Sequence, residues 1–181
     1  MRPPARRNGP GLVNAAPLVC VMGVSAVGKS TVGIALSDAL GVPFVDADSL
    51  HSEANRSKMN AGIPLVDDDR WPWLDAVGAG FAAAADTGLV MACSALRRAY
   101  RDRIRAAAPD VVFAHLHGPR ELLLARATAR VDHFMPPSLL DSQLDTLEPL
   151  GADETGFVVT VDRTPDVLVA EIVERLAAPQ D

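Results

Sequence analysis

Lysine is nearly missing from this 181-residue chain: Lys29 and Lys58 are the two it has, against fifteen arginines. Where arginine supplies almost every positive charge, each lysine raises the question of what a compact ammonium does that a planar guanidinium cannot. Basic residues are also outnumbered, 17 against 23 acidic ones, for a formal net charge of −6. That balance excludes broad binding to nucleic acid or anionic membranes, which requires a basic face. Cysteine is equally scarce. Cys20 and Cys93 both lie in apolar runs, where they read as reduced core thiols rather than a disulfide or a metal pair. No His/Cys cluster has metal-ligand spacing, and no apolar run reaches the ~18 residues that span a bilayer.

What is present is enough for one folded domain. A length of 181 residues with 49% hydrophobic content buries a single core and argues against a disordered or fibrous chain. Arg2, Arg6 and Arg7 ahead of the apolar stretch 15–24 imitate a secretory signal. Cleavage there would destroy the phosphate loop described next, so residues 1–16 are expected to be a flexible leader, 17–178 a single domain, and the protein cytoplasmic. Short β-branched runs alternate with Ala/Leu/Arg-rich segments of helical period, predicting an α/β fold with a five-stranded parallel sheet flanked by helices. Strands are expected at 18–22, 43–46, 89–93, 111–117 and 157–161. Helices are expected at 29–40, 49–60, 70–85, 96–107, 119–130, 138–147 and 165–177. Gly41 and Pro43 close the first helix, and Thr164 with Pro165 opens the last. The charged, Pro-terminated break at 130–137 predicts a mobile lid over about 123–137.

Gly23-Val24-Ser25-Ala26-Val27-Gly28-Lys29-Ser30 matches G-x-x-x-x-G-K-[ST] in full, follows an apolar strand and opens a helix, as a phosphate-binding loop requires. Its glycines let successive N–H groups point at phosphate oxygens, and the helix N-terminus adds positive potential. Lys29 is expected to reach the β- and γ-phosphates of ATP, Ser30 to ligate Mg²⁺, and Thr31 to follow it at the nucleotide. A flexible ammonium can track a transferred phosphoryl group in a loop too tight for a guanidinium, which answers the first lysine question. A GTPase switch needs Asn-Lys-x-Asp, and neither lysine follows an asparagine. A motor ATPase needs an acidic pair closing an apolar strand, and the strand at 89–93 ends in Ser94 instead. A small phosphotransferase remains.

Asp46 and Asp48 follow the second expected strand, at the sheet edge where open α/β folds bind ligands. Alternation along an extended chain places both carboxylates on one side. Asp48 is then expected to accept a hydroxyl proton and Asp46 to hold a magnesium-bound water, while either one alone could simply cap the next helix. Asp67, Asp68 and Asp69 read as a solvated helix start. Arg70 is either their salt-bridge partner or an anion clamp they hold in place. Trp73 reads as a packing anchor, and Ser94, Arg97 and Arg101 as a polar, cationic wall.

Taken together these residues resemble the gluconokinase family of small P-loop carbohydrate kinases. The resemblance rests on G-V-S-x-x-G-K-S-T at 23–31, D-x-D-x-x-H at 46–51, K-M at 58–59, G-x-P-L-x-D-D-D-R-x-P-W-L at 62–74 and C-S-A-L-x-x-x-Y-R-D at 93–102. It continues with L-x-x-R-x-x-x-R-x-x-H-F at 123–134, Q-x-x-x-L-E-P at 143–149 and G-A-D-E at 151–154. It implies ATP-dependent phosphorylation of D-gluconate at its 6-hydroxyl, on a nucleoside-monophosphate-kinase-like fold, and a homodimer. By the same resemblance Asp48 activates the acceptor hydroxyl, and His51, Lys58, Arg70, Ser94 and Arg97 line the gluconate site. Arg126 and Arg130 neutralise the transferring phosphoryl group, and His133 and Phe134 close the lid. Two departures stand out: Ala26-Val27 replaces the family's usual Gly-Ser, and Arg97 its usual lysine. The alternatives are a kinase of another small hydroxy acid such as shikimate, or a nucleotide-binding regulatory module without turnover.

Overall fold

A computed structural model describes residues 16–61, 63–129 and 137–178. In chain order the elements are β1 (Leu18–Met22), α1 (Lys29–Leu40), β2 (Phe44–Asp46), a short 3-10 helix (Ala47–Leu50), α2 (Glu53–Asn60), α3 (Asp67–Ala83), β3 (Leu89–Ala92) and α4 (Arg98–Ala107). There follow β4 (Val112–His117), α5 (Arg120–Thr128), α6 (Pro137–Thr146), β5 (Gly156–Thr160) and α7 (Pro165–Ala177). The five strands form one parallel sheet in the order β2-β3-β1-β4-β5. Strand alternation sends Cys20 and Met22 to a core shared with Leu74, Phe81 and Ile104 of α3 and α4. Val19 and Val21 go to the opposite core, with Leu36, Leu168 and Ile172 of α1 and α7. With both faces covered, β1 is buried along its whole length, which is why it reads as an unbroken apolar run. Both cysteines are free and buried, and no described helix is long and apolar enough to cross a membrane.

The expected sheet and helices are all found among the described residues, with corrected boundaries. The helix expected over 49–60 is two elements: Asp46 accepts the Asp48 N–H at 3.1 Å to start a 3-10 turn, and Ser52 accepts the Asn55 N–H at 3.1 Å to start α2. Helix α3 begins at Asp67 rather than Arg70, because Asp69 reaches back to accept the Val66 N–H at 3.0 Å and acidic residues suit a helix N-terminus. Helix α4 begins at Arg98 rather than Leu96, with its first N–H satisfied by Glu148 Oε2 at 2.6 Å. Gly41 ends α1 at φ 67, and Thr164 takes the N-cap position of α7 without a side-chain hydrogen bond.

One core residue has no local explanation in packing terms. His115 on β4 is 3% exposed, and neither ring nitrogen has a hydrogen-bond partner among the described residues. Burial, then His117 and Arg101, push its pKa down from 6.5 to about 4. The unfolded chain therefore takes up the proton first as the pH falls. Stability is complete above pH 6.5 and is lost between 6.5 and 4, by about 3 kcal/mol in all. His115→Met removes the titrating group and the orphaned nitrogens. It is expected to stabilise the fold by about 1–2 kcal/mol at pH 7 and to flatten this part of the acid profile. Urea unfolding from pH 7 to 4 measures both, and identical profiles for the two proteins would contradict the account.

Candidate active site

The phosphate loop joins β1 to α1 and is built on left-handed backbone. At Gly23 (φ +140) a Cβ would lie 2.6 Å from the Leu116 carbonyl oxygen, so no other residue fits. Gly28 (φ +101) caps α1, and a Cβ there would meet nothing within 4 Å: the space above it is open, as a phosphate cradle requires. Ala26 takes φ 63 without being glycine, a conformation costing an L-residue about 1 kcal/mol. It is retained by burial, since Ala26 is 5% and Val27 1% exposed and Val27 packs into the α1 core. The departure from Gly-Ser thus exchanges local freedom for an apolar anchor. Lys29 Nζ donates to the Val24 carbonyl at 2.9 Å, across the loop. Ser25 donates its N–H to Gln143 Oε1 of α6 at 2.6 Å. Ser30 and Thr31 are exposed on the first turn of α1.

Ser30 Oγ donates to Asp46 Oδ2 at 2.9 Å, which joins the two residues read as magnesium-holding. Among the described residues no group of three or more His, Cys, Asp or Glu could hold a metal. A hydroxyl and one carboxylate fit Mg²⁺, a hard cation that keeps its waters and completes its shell with phosphate oxygens. Asp46 also caps the 3-10 turn by accepting the Asp48 N–H, as the capping reading of it expected.

Asp48 lies on the 3-10 turn, not on the extended chain assumed from alternation, and is exposed there. The turn is clamped to α3. Trp73 Nε1 donates to the Ala47 carbonyl at 2.7 Å, and the Trp73 ring stacks on His51 with centroids 4.3 Å apart and planes 13° from parallel. Asn55 Nδ2 donates to the Asp69 carbonyl at 2.8 Å, with His51 Nδ1 3.4 Å away. Arg56 donates to the His51 carbonyl at 2.6 Å. Burial holds the His51 pKa below its usual value despite the Asp48 charge. Trp73 is the packing anchor its sequence position implied, and what it anchors is the segment carrying Asp48.

The cations expected on the acceptor side are held by the acidic run. Lys58 Nζ sits 2.6 Å from Asp69 Oδ1. Asp67 receives three donors: the Tyr100 hydroxyl at 2.5 Å, Arg97 at 3.1 Å and Arg70 at 3.4 Å. Its pKa is held down by the Tyr100 hydrogen bond first and then, against its burial, by the two arginines. Both guanidinium carbons lie 5.8 Å from the Tyr100 ring centroid. Arg70 is therefore salt-bridge partner and positioned cation at once. Ser94 accepts the Gly23 N–H through its carbonyl at 3.3 Å, tying the end of β3 to the phosphate loop.

Arg101 does not belong to the cationic wall expected for it. Its side chain is wholly buried and pairs with Glu154 at 2.7 and 2.9 Å, while also donating to the carbonyls of Ala95, Leu96, Glu148 and Pro149. Burial pushes the Glu154 carboxyl up, but Arg101, the Gly151 amide and Arg105 outweigh it, so its pKa is lowered. Arg126 donates to the Val161 carbonyl at 2.8 Å. Arg130, His133 and Phe134 lie outside the described residues, as does the rest of 130–136 within the segment expected to form a lid. Sequence reasoning passed over Asp67, Tyr100, Asn55, Gln143 and Glu154 as site-building residues. Asp67, Tyr100, Gln143 and Glu154 stood inside the quoted motifs, and Asn55 outside them.

Because β2, β3 and β1 are adjacent, their C-terminal ends bring the Asp46–His51 segment, Ser94–Arg97 and the phosphate loop to one edge. Known proteins resemble this chain over most of its length. Residues 25–177 match the shikimate kinase family. A gluconokinase of Gluconobacter oxydans is 42% identical over 87% of this chain and 90% of its own. The gluconokinase of Sinorhizobium meliloti superposes with a TM-score of 0.78 at 43% identity, covering 88% of this chain and 95% of that one. A sugar kinase from Janibacter sp. HTCC2649 does so with 0.83 at 44%, covering 89% and 94%. A shikimate kinase-family domain with relatives of this identity and length places the chain in the gluconokinase family.

Proposed function

We propose that this protein phosphorylates D-gluconate at its 6-hydroxyl with ATP, giving 6-phospho-D-gluconate and ADP. The observation that carries the reading is the gathering of the phosphate loop, the Ser94–Arg97 segment and the Asp48 turn at the C-terminal ends of β1, β3 and β2, with that turn clamped to α3 by Trp73. Lys29 and the loop amides hold the phosphates, Arg70 and Arg97 grip the acceptor carboxylate, and His51, Lys58 and Ser94 line the remaining site. Asp48 accepts the proton of the 6-hydroxyl as its oxygen attacks the γ-phosphorus and the bond to the ADP oxygen breaks. Ser30, and Asp46 through water, would hold Mg²⁺, which supplies charge neutralisation at the phosphates. Arg126 and Arg130, with His133, are assigned to charge neutralisation and closure on the lid side. Residues 17–178 are assigned to one domain, and the homodimer rests on the family resemblance. Two free buried thiols accord with a reducing cytoplasm.

A coupled ADP-release assay over gluconate, shikimate, nucleoside monophosphates and related sugar acids tests this. Turnover is expected with gluconate and Mg²⁺-ATP. Release with shikimate but not gluconate would overturn the acceptor, and no turnover with any acceptor would favour a regulatory nucleotide-binding module.

A further inference from the structure

Gln143 is 118 residues along the chain from Ser25, yet its Oε1 accepts the Ser25 N–H at 2.6 Å, in the first limb of the phosphate loop. The next residue is Ala26, held at φ 63. Such backbone persists in a non-glycine residue only where its surroundings hold it. From below, the buried side chains of Ala26 and Val27 do so. From outside the loop, Gln143 does so, and it stands on a stiff arm. Leu140, one turn earlier on α6, is fully buried. Just past the end of α6, Glu148 is tied to the start of α4 by its N–H to the Leu96 carbonyl at 2.8 Å and by its carboxylate to the Arg98 N–H at 2.6 Å.

We propose that Gln143 is a positioning residue for nucleotide binding: it braces the phosphate loop in its anion-receiving shape, offsetting an alanine where the backbone favours glycine. The brace rests on the nucleotide-binding reading of the loop and is independent of which acceptor the protein uses. It also differs from a latch, in which phosphate would have to displace the carboxamide. Loss of a latch tightens nucleotide binding, and loss of a brace weakens it.

Calorimetric titration of the full chain with MgADP separates these. Gln143→Met keeps the length of the side chain without its strong acceptor and is expected to weaken MgADP binding about tenfold, as for an amide left unpaired, with KM for gluconate unchanged. Gln143→Ala provides the same arm if the methionine variant does not fold. Ala26→Gly removes the strain, so the double variant Ala26→Gly/Gln143→Met is expected to recover to within about threefold of the parent protein. Unchanged or tighter binding by Gln143→Met, or a double variant as weak as the single one, would overturn the brace. A parent protein that fails to bind MgADP would instead remove the nucleotide reading beneath it.

Discussion

Asp48→Asn is expected to lower kcat by about a thousandfold, the middle of the range for losing a positioned general base, while KM for ATP stays within about twofold. The asymmetry follows from the architecture. The phosphate loop lies between β1 and α1, and the nucleotide contacts assigned to it do not involve the Asp48 side chain. The 3-10 turn carrying Asp48 is fixed by other atoms: the Ala47 carbonyl under Trp73 Nε1, the Asp48 N–H on Asp46 Oδ1, and the His51 carbonyl under Arg56. Asparagine has the same shape and leaves each of these bonds in place, so thermal stability should stay within about 0.5 kcal/mol of the parent. Steady-state kinetics on folded variant decide the matter. Near-normal turnover would show that proton acceptance lies elsewhere.

The second large effect concerns stability. Glu154→Ala strands the fully buried Arg101 guanidinium, and the expected cost is about 3–5 kcal/mol, the range for breaking a buried ion pair from one side. For a chain of this length that is a fall of roughly 6–20 °C in the unfolding midpoint. The same change also removes the acceptor of the Gly151 N–H at 2.8 Å. Replacing both members of the pair, Arg101→Met with Glu154→Met, removes the stranded charge but leaves the Ala95, Leu96, Glu148 and Pro149 carbonyls and the Gly151 N–H without these partners, so part of the loss, not all of it, is expected to return. Thermal unfolding of the single and double variants measures the difference. A single variant with the parent's midpoint would show that the pair contributes little.

The sheet and the phosphate loop were legible because each is written in local chemistry, apolar alternation and glycines at left-handed positions, whereas the carboxylates after β2 were read on an extended chain and lie on a 3-10 turn. The bounds of α2 and α3 failed on local side-chain caps, Ser52 and Asp69, and that of α4 on a distant one. The start of α4 is set by Glu148, 50 residues on. Arg101 was misread for the same reason. One turn after Arg97 on a basic helix, it looks like a second surface cation, and only Glu154, 53 residues away, makes it a core residue. The acidic run concealed its use in another way. Three consecutive aspartates read as solvent-facing helix capping, which Asp69 does perform through Val66, while Asp67 and Asp69 also fix Arg97, Arg70 and Lys58. The second lysine thus has a definite partner: an ammonium 2.6 Å from Asp69 Oδ1, beside the turn that carries Asp48.

The Arg101–Glu154 pair also sets an order on the making of the protein. Synthesis proceeds from the N-terminus, and domains fold as units while the chain emerges. Helix α4 leaves the ribosome with Arg101 already in it, but the carboxylate and the Glu148 and Pro149 carbonyls that neutralise it come about fifty residues later. Until they arrive, the buried side of α4 carries an uncompensated charge that resists burial, although the residues of β1, α1 and the phosphate loop are already synthesised. A chain released between residues 143 and 154 therefore carries the loop and Gln143 but not the carboxylate that neutralises Arg101.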